Sequence, residues 1–150
     1  HSEETVRLHT AHHLLLGALQ EVMGASVKQR GSNITSERLR IDFSFERKMT
    51  DDEKKQTEDL VNKWIAEAIP VVRRDMPKAE AEALGAEHEF GATYGDIVSV
   101  YFVERTDGTR VSKEFCGGPH VSNTSELGVF KIQKEEAVAS GVRRIKATLK

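Results

Sequence analysis

The chain of 150 residues contains one cysteine and six histidines, and four of these seven side chains form two pairs of equal spacing. His9 and His13 lie four positions apart in a Leu- and Ala-rich segment of helical periodicity, so their imidazoles share one helix face about a turn apart. Cys116 and His120 are also four apart, within Cys-Gly-Gly-Pro-His, where two glycines and a proline predict an irregular loop. Either pair alone is a weak signal, since short motifs of this kind match by chance. Together they supply the three imidazoles and one thiolate of a tetrahedral zinc site, and one Zn²⁺ is the expected cofactor. His12, at i+3 from His9, also lies one turn away and competes with His13 for the second position. His13 is preferred, which leaves His12 beside Leu15, Leu16 and Leu19 or at a pocket rim, in a structural or substrate-contacting role. His1 and His88 have no partner at ligand spacing and read as exposed polar residues.

These side chains need elements to hold them. Periodicity predicts a helix from about Thr5 to Met23, ended by Gly24. Alternation of apolar and polar residues in Leu39–Phe45 predicts a strand with one buried face. Thr50 and Glu53 form a capping box ahead of a second helix with the buried stripe Leu60, Val61, Trp64, Ile65 and Ala68, ended by Pro70. Val71–Arg73 reads as a short strand, and Pro77 opens a short helix that stops near Gly85. Strands Ile97–Val103 and Val111–Phe115 flank the turn Thr106-Asp107-Gly108-Thr109, a hairpin pattern. Gly128–Ile132 and Val142–Leu149 complete the strand candidates. Without a regular βαβ rhythm, the expected fold is α+β, a mainly antiparallel sheet with two longer helices and one short one.

The length suits one domain over residues 1–150, and 38% apolar residues suffice for one core. With 22 basic and 24 acidic residues the net charge is −2, so any contact with nucleic acid must come from a local patch or from another part of a larger molecule. Lys28 with Arg30, and Arg143 and Arg144 with Lys146, are the candidate phosphate-contacting clusters, the alternative being a solvated strand face. One cysteine excludes an internal disulfide and fits a reducing, cytoplasmic setting. No apolar run reaches membrane-spanning length, and the start His-Ser-Glu-Glu-Thr lacks a signal-peptide core, so no membrane partner is expected. The abrupt opening at His1 reads as a domain cut from a longer chain.

The segments His9-Thr-Ala-His-His-Leu-Leu and Cys116-Gly-Gly-Pro-His-Val resemble the two metal-binding motifs of the editing domain shared by alanyl- and threonyl-tRNA synthetases. Lys28-Gln-Arg-Gly-Ser32, Leu39-Arg-Ile-Asp-Phe-Ser44, Gly128-Val-Phe-Lys-Ile132 and Gly141-Val-Arg-Arg-Ile145 resemble the alanyl branch. The resemblance implies hydrolysis of serine or glycine wrongly esterified to alanine tRNA, with His9, His13, Cys116 and His120 as metal ligands. Gln29 matches a pocket glutamine that would contact substrate or attacking water. The implied partners are the acceptor end of the tRNA and the other domains of a parent synthetase. Two positions depart from the alanyl pattern: His12 stands where Thr is common, and Pro119 where the loop commonly carries Thr.

An aminoacyl ester is already activated, so its hydrolysis needs a placed water, oxyanion stabilisation and a selective pocket. Gln29 and Cys116 are the candidate catalytic residues, and Thr10, His12, Gln29, Gly117 and Gly118 the candidate substrate contacts. Three alternatives stay open: a free-standing trans-editing deacylase, a zinc-stabilised tRNA-binding module without catalysis, and a metallohydrolase of other substrates. The last is disfavoured because Thr10-Ala11-His12 offers no general-base carboxylate of the His-Glu-x-x-His kind.

Overall fold

The computed structural model describes residues 2–150; His1 lies outside them. Helix α1, Glu3–Met23, starts at Ser2, whose hydroxyl accepts the Thr5 N–H, and carries Glu3 and Glu4 in its first turn, where the helix dipole favours negative charge. Leu8, Ala11, Leu14, Leu15, Leu16, Ala18 and Leu19 are all buried, so the helix is enclosed over most of its circumference. One side meets α2, Asp51–Ala66, whose capping box between Thr50 and Glu53 is formed as expected. Pro70 is not what ends α2. The helix stops at Ala66, and Ala68 takes a φ of 54°, which turns the chain so that Ile69, not Ala68, enters the core.

Below α1 lies a four-stranded antiparallel sheet ordered β1 (Gln29–Ile34), β2 (Leu39–Ser44), β7 (Val142–Leu149), β6 (Phe130–Ala139). The predicted alternation in β2 holds: Leu39, Ile41 and Phe43 face the core, and Arg40 and Asp42 the opposite side of the sheet, where Asp42 is buried against Arg144. Sequence reading missed β1 and the second half of β6. Both are polar, and both exist because a neighbour supplies a full ladder, β2 for β1 and β7 for β6.

A second antiparallel sheet, β3 (Val71–Pro77), β4 (Ile97–Glu104) and β5 (Arg110–Phe115), carries the short helix α3, Lys78–Ala83, over its own cluster of Met76, Ala81, Val98, Val100, Phe102 and Phe115. Strand β3 is longer than Val71–Arg73 because β4 pairs with it throughout. The fold is thus α+β with antiparallel sheets. No helix among the described residues is long and apolar enough to cross a membrane.

Helix α1 also packs on β5, and Gly17 sets the approach: a Cβ there would stand 2.6 Å from the Val111 carbonyl oxygen. Gly17→Ala would gain about 1 kcal/mol of helix propensity but force apart two backbones, at about 1–3 kcal/mol. We expect a net loss of about 1 kcal/mol, read as a lower urea midpoint; a midpoint raised by the substitution would show that the approach is not constrained.

Candidate metal centre

α1 presents His9 and His13 toward the loop that leaves β5 at Cys116, and the ligand atoms of His9, His13, Cys116 and His120 all lie within 4.8 Å of one another. It is His13, not His12, that the fold brings to the other three side chains. Cys116 Sγ is 3.3 Å from both His9 Nε2 and His120 Nε2. A tetrahedral ion with arms of roughly 2.05 and 2.3 Å would separate sulfur from nitrogen by roughly 3.6 Å, so the spacing is close to that of a filled site.

The opposite ring nitrogens fix the tautomers. His9 Nδ1 is 3.2 Å from the Pro119 carbonyl, which can only accept, so Nδ1 carries the proton and Nε2 the lone pair. His120 Nδ1 is 2.9 Å from Thr10 Oγ1. That hydroxyl also accepts the Val121 N–H at 3.2 Å and has the Val6 carbonyl at 3.4 Å as outlet for its own proton. Thr10 therefore accepts from His120 Nδ1–H and leaves Nε2 free. His13 Nδ1 has Glu114 Oε2 at 3.4 Å, a longer contact between two buried side chains. Two Nε2 lone pairs then face one sulfur. A thiol proton can satisfy only one of them, whereas a cation satisfies both, so the residues present fit a metal ion.

Electrostatics agree with a neutral, desolvated nest. Burial lowers His9 and His13, and takes His12 to about 3 and His120 to about 2. Burial likewise raises Glu114 to about 8, with the Glu87 charge adding to it. The Cys116 thiol is pushed up to about 11 by burial, against the pull of the Gly118 N–H at 3.3 Å. A bound cation reverses that last balance, since a coordinating thiol is deprotonated.

Of the expected substrate contacts, His12 and Gln29 line a small cavity of about 70 Å³ against the donor cluster, together with Ser32, Ile34, Glu89 and Glu114. His12 Nε2 is buried there without a hydrogen-bond partner. Thr10 is not in that wall. It is fully buried, and its hydroxyl is taken up by His120, Val121 and Val6. Gly117 faces open space, and Gly118, at φ 72°, is required because a Cβ would collide with the Tyr101 hydroxyl. Tyr101 packs on the His120 ring at 4.2 Å. Sequence reading missed Tyr101, Glu114 and Glu89; the only local hint was Glu114 at the buried phase of β5, two residues before Cys116.

Lys28 and Arg30 flank Gln29 at the start of β1, Lys28 paired with Glu87 at 3.1 Å. The cations of β7 are all matched. Arg143 binds Glu135 at 2.7 Å, Arg144 binds Asp42 at 2.8 Å, and Lys146 lies 3.5 Å from Glu136. Arg143 lies on the same side of the sheet as buried Ile145, Arg144 and Lys146 lie on the other, and none of the three lines the cavity of Gln29.

Residues 98–146 match the family described as "Threonyl and Alanyl tRNA synthetase second additional domain". The chain is 58% identical over 146 residues to the alanine--tRNA ligase of Borrelia hermsii (strain HS1 / DAH), covering 97% of this chain and 24% of that protein. It is 51% identical over 149 residues to the enzyme of Treponema denticola, and 50% over 145 residues to that of Thermotoga sp. (strain RQ2). The coverage there is 99% and 97% of this chain, and 24% and 16% of the relative. The matched residues 98–146 belong to the second additional domain family of these synthetases. The chain spans about a quarter of the length of the first curated relatives it matches, 24% of the Borrelia hermsii protein. The four donors come from both ends of the chain, and the family match over residues 98–146 contains only the Cys116–His120 half.

Two measurements test the site. Thr10→Val keeps shape but removes the acceptor of His120 Nδ1–H, so zinc affinity by chelator competition should fall about 10–100-fold; unchanged affinity would contradict the assigned tautomer. In the metal-stripped chain, the depressed histidines stabilise the fold above their ordinary value of 6.5, and that stability is lost as pH falls. Glu114, raised from 4.5, acts oppositely, its contribution being lost as pH rises through about 8. Four imidazoles outweigh one carboxyl between pH 4.5 and 6.5, so the urea midpoint should rise with pH across that window. A flat or falling midpoint would mean that the histidines are not desolvated.

Proposed function

We propose that this chain is the editing module of an alanine–tRNA ligase acting in the cytoplasm, and that it hydrolyses the ester linking serine or glycine to alanine tRNA. Zn²⁺ held by His9, His13, Cys116 and His120 would supply positive charge that polarises a bound oxygen or fixes the amino group of the substrate. Water oxygen bonds to the ester carbonyl carbon, the bond to the ribose oxygen breaks as that oxygen takes up a proton from the water, and the free amino acid and tRNA leave.

The observation that carries this reading is the buried, unpartnered His12 Nε2 in the wall of a cavity of about 70 Å³ that also touches the donor cluster. Burying a polar atom without a partner costs about 1–3 kcal/mol, and a ligand hydroxyl arriving there recovers it. Serine differs from alanine by that hydroxyl, and a site built to hydrogen-bond a hydroxyl rejects the analogue lacking it by about 10⁴-fold in favourable cases. Gln29, in the same wall, offers an amide that can hold the attacking water or the carbonyl. Gly117 follows the Cys116 donor, and a Cβ there would meet nothing within 4 Å, so its N–H could serve the developing oxyanion. The resemblance of both metal motifs to the family pattern and the identity to alanine--tRNA ligases support the same reading.

One feature favours a second reading: four protein donors already make a complete tetrahedral set, as in zinc sites that only stabilise a fold. A tRNA-binding module of that kind would have no deacylase activity.

Hydrolysis of Ser-, Gly- and Ala-charged alanine tRNA, with and without a zinc chelator, separates the two. We expect release of serine but not alanine, and its loss in Cys116→Ala. In His12→Leu, kcat/KM for the seryl substrate should fall about 5–150-fold, the energy of one hydrogen bond to a buried group. Full activity of Cys116→Ala lacking zinc would defeat the deacylase reading.

A further inference from the structure

The cavity at the donor cluster is far too small for a nucleotide. Drug-sized ligands occupy roughly 300–1,000 Å³, and this cavity has about 70 Å³. It opens beside a groove of about 550 Å³ between the start of β1 and residues 85–92, and both depressions are lined by Gln29 and Glu89. Two other depressions, of about 270 and 380 Å³, share no lining residue with the cavity.

The groove holds an uncommon surface group. Phe90 is 56% exposed, and the Arg30 guanidinium lies over its ring at 4.8 Å. Among the described residues Arg30 has no carboxylate partner, unlike Lys28 beside it, which is paired with Glu87. The segment that carries Phe90 is anchored: the Glu89 N–H donates to the Tyr94 hydroxyl at 2.8 Å, and the His88 ring stacks on Phe115 at 4.3 Å. An exposed aromatic with an unpaired arginine is a stacking platform for a base next to a phosphate contact.

We propose that this groove binds the 3′-terminal nucleoside of a charged RNA, its base on Phe90 and the phosphate on its 5′ side at Arg30. The inference rests on the deacylase reading, in which the esterified amino acid occupies the small cavity. The ribose must then stand at the Gln29 and Glu89 boundary, and the base must lie within one sugar's reach of it. The groove is where that geometry leads.

The test uses the trinucleotide 5′-CCA-3′, which carries no ester, titrated into the 150-residue chain and followed by amide chemical shifts. Perturbations should map to residues 28–30 and 85–92. Phe90→Ala should weaken binding about 5- to 150-fold, the range for loss of one stacked base, and Phe90→Trp should restore it. Arg30→Gln should lower the salt dependence by about one phosphate contact. All three variants should keep the zinc affinity of the parent, since none touches the donor cluster. Shifts elsewhere, an unchanged dissociation constant in Phe90→Ala, or no shift at millimolar trinucleotide would overturn the proposal, even with the seryl ester still hydrolysed. Trinucleotide binding in the groove of a chain that hydrolyses no seryl ester would instead support the groove and sink the deacylase reading.

Discussion

Two backbones in near contact hold the molecule's chemistry together. α1 can approach β5 only because Gly17 has no side chain against the Val111 carbonyl. The helix contributes two imidazoles and the strand ends in the loop that contributes the thiolate and the third. A shift of a few tenths of an ångström between these elements acts on all four donors at once. The enclosed character of α1, apolar on nearly every side, follows from the same demand, since the helix is gripped by α2, the four-stranded sheet and β5 together.

Within that frame, the donor atoms are aimed from behind. Glu114 stands 3.4 Å from His13 Nδ1, while Pro119 and Thr10 hydrogen-bond the far nitrogens of His9 and His120. Such partners fix ring orientation and the nitrogen that carries the proton, so the near nitrogens converge without having to search rotamers. Desolvation keeps the imidazoles neutral, the form in which they can ligate. His12 shares the helix but has no such partner, and its Nε2 is buried in the cavity wall without a hydrogen bond.

Much of this is legible in the residue string, and the rest fails for identifiable reasons. The ligand pairs are local, four residues apart within a helix and within a loop, so spacing reveals them. The β2 alternation and the Thr50–Glu53 cap are equally local. Strand β1 reads as Gln-Arg-Gly-Ser-Asn-Ile, with almost no apolar signal, and exists through its pairing with β2. The Arg143, Arg144 and Lys146 cluster looks like a free cationic patch in one dimension, but Glu135, Asp42 and Glu136 on neighbouring strands neutralise it. Thr10 sits between the histidines in sequence and looks available to a ligand, yet the fold consumes its hydroxyl. Long-range pairing is what single-residue patterns do not carry.

The separation of the two halves also orders events in time. His9 and Cys116 meet across 107 positions. On a ribosome adding about 5–20 residues each second, the helix and its two imidazoles wait about 5–20 s before the sulfur is synthesised. An ion meeting the early chain finds two nitrogens and water, and holds weakly. The full donor set exists only once His120 has been made and α1 has met β5, so an ion held by all four side chains would report that these two elements have closed on each other.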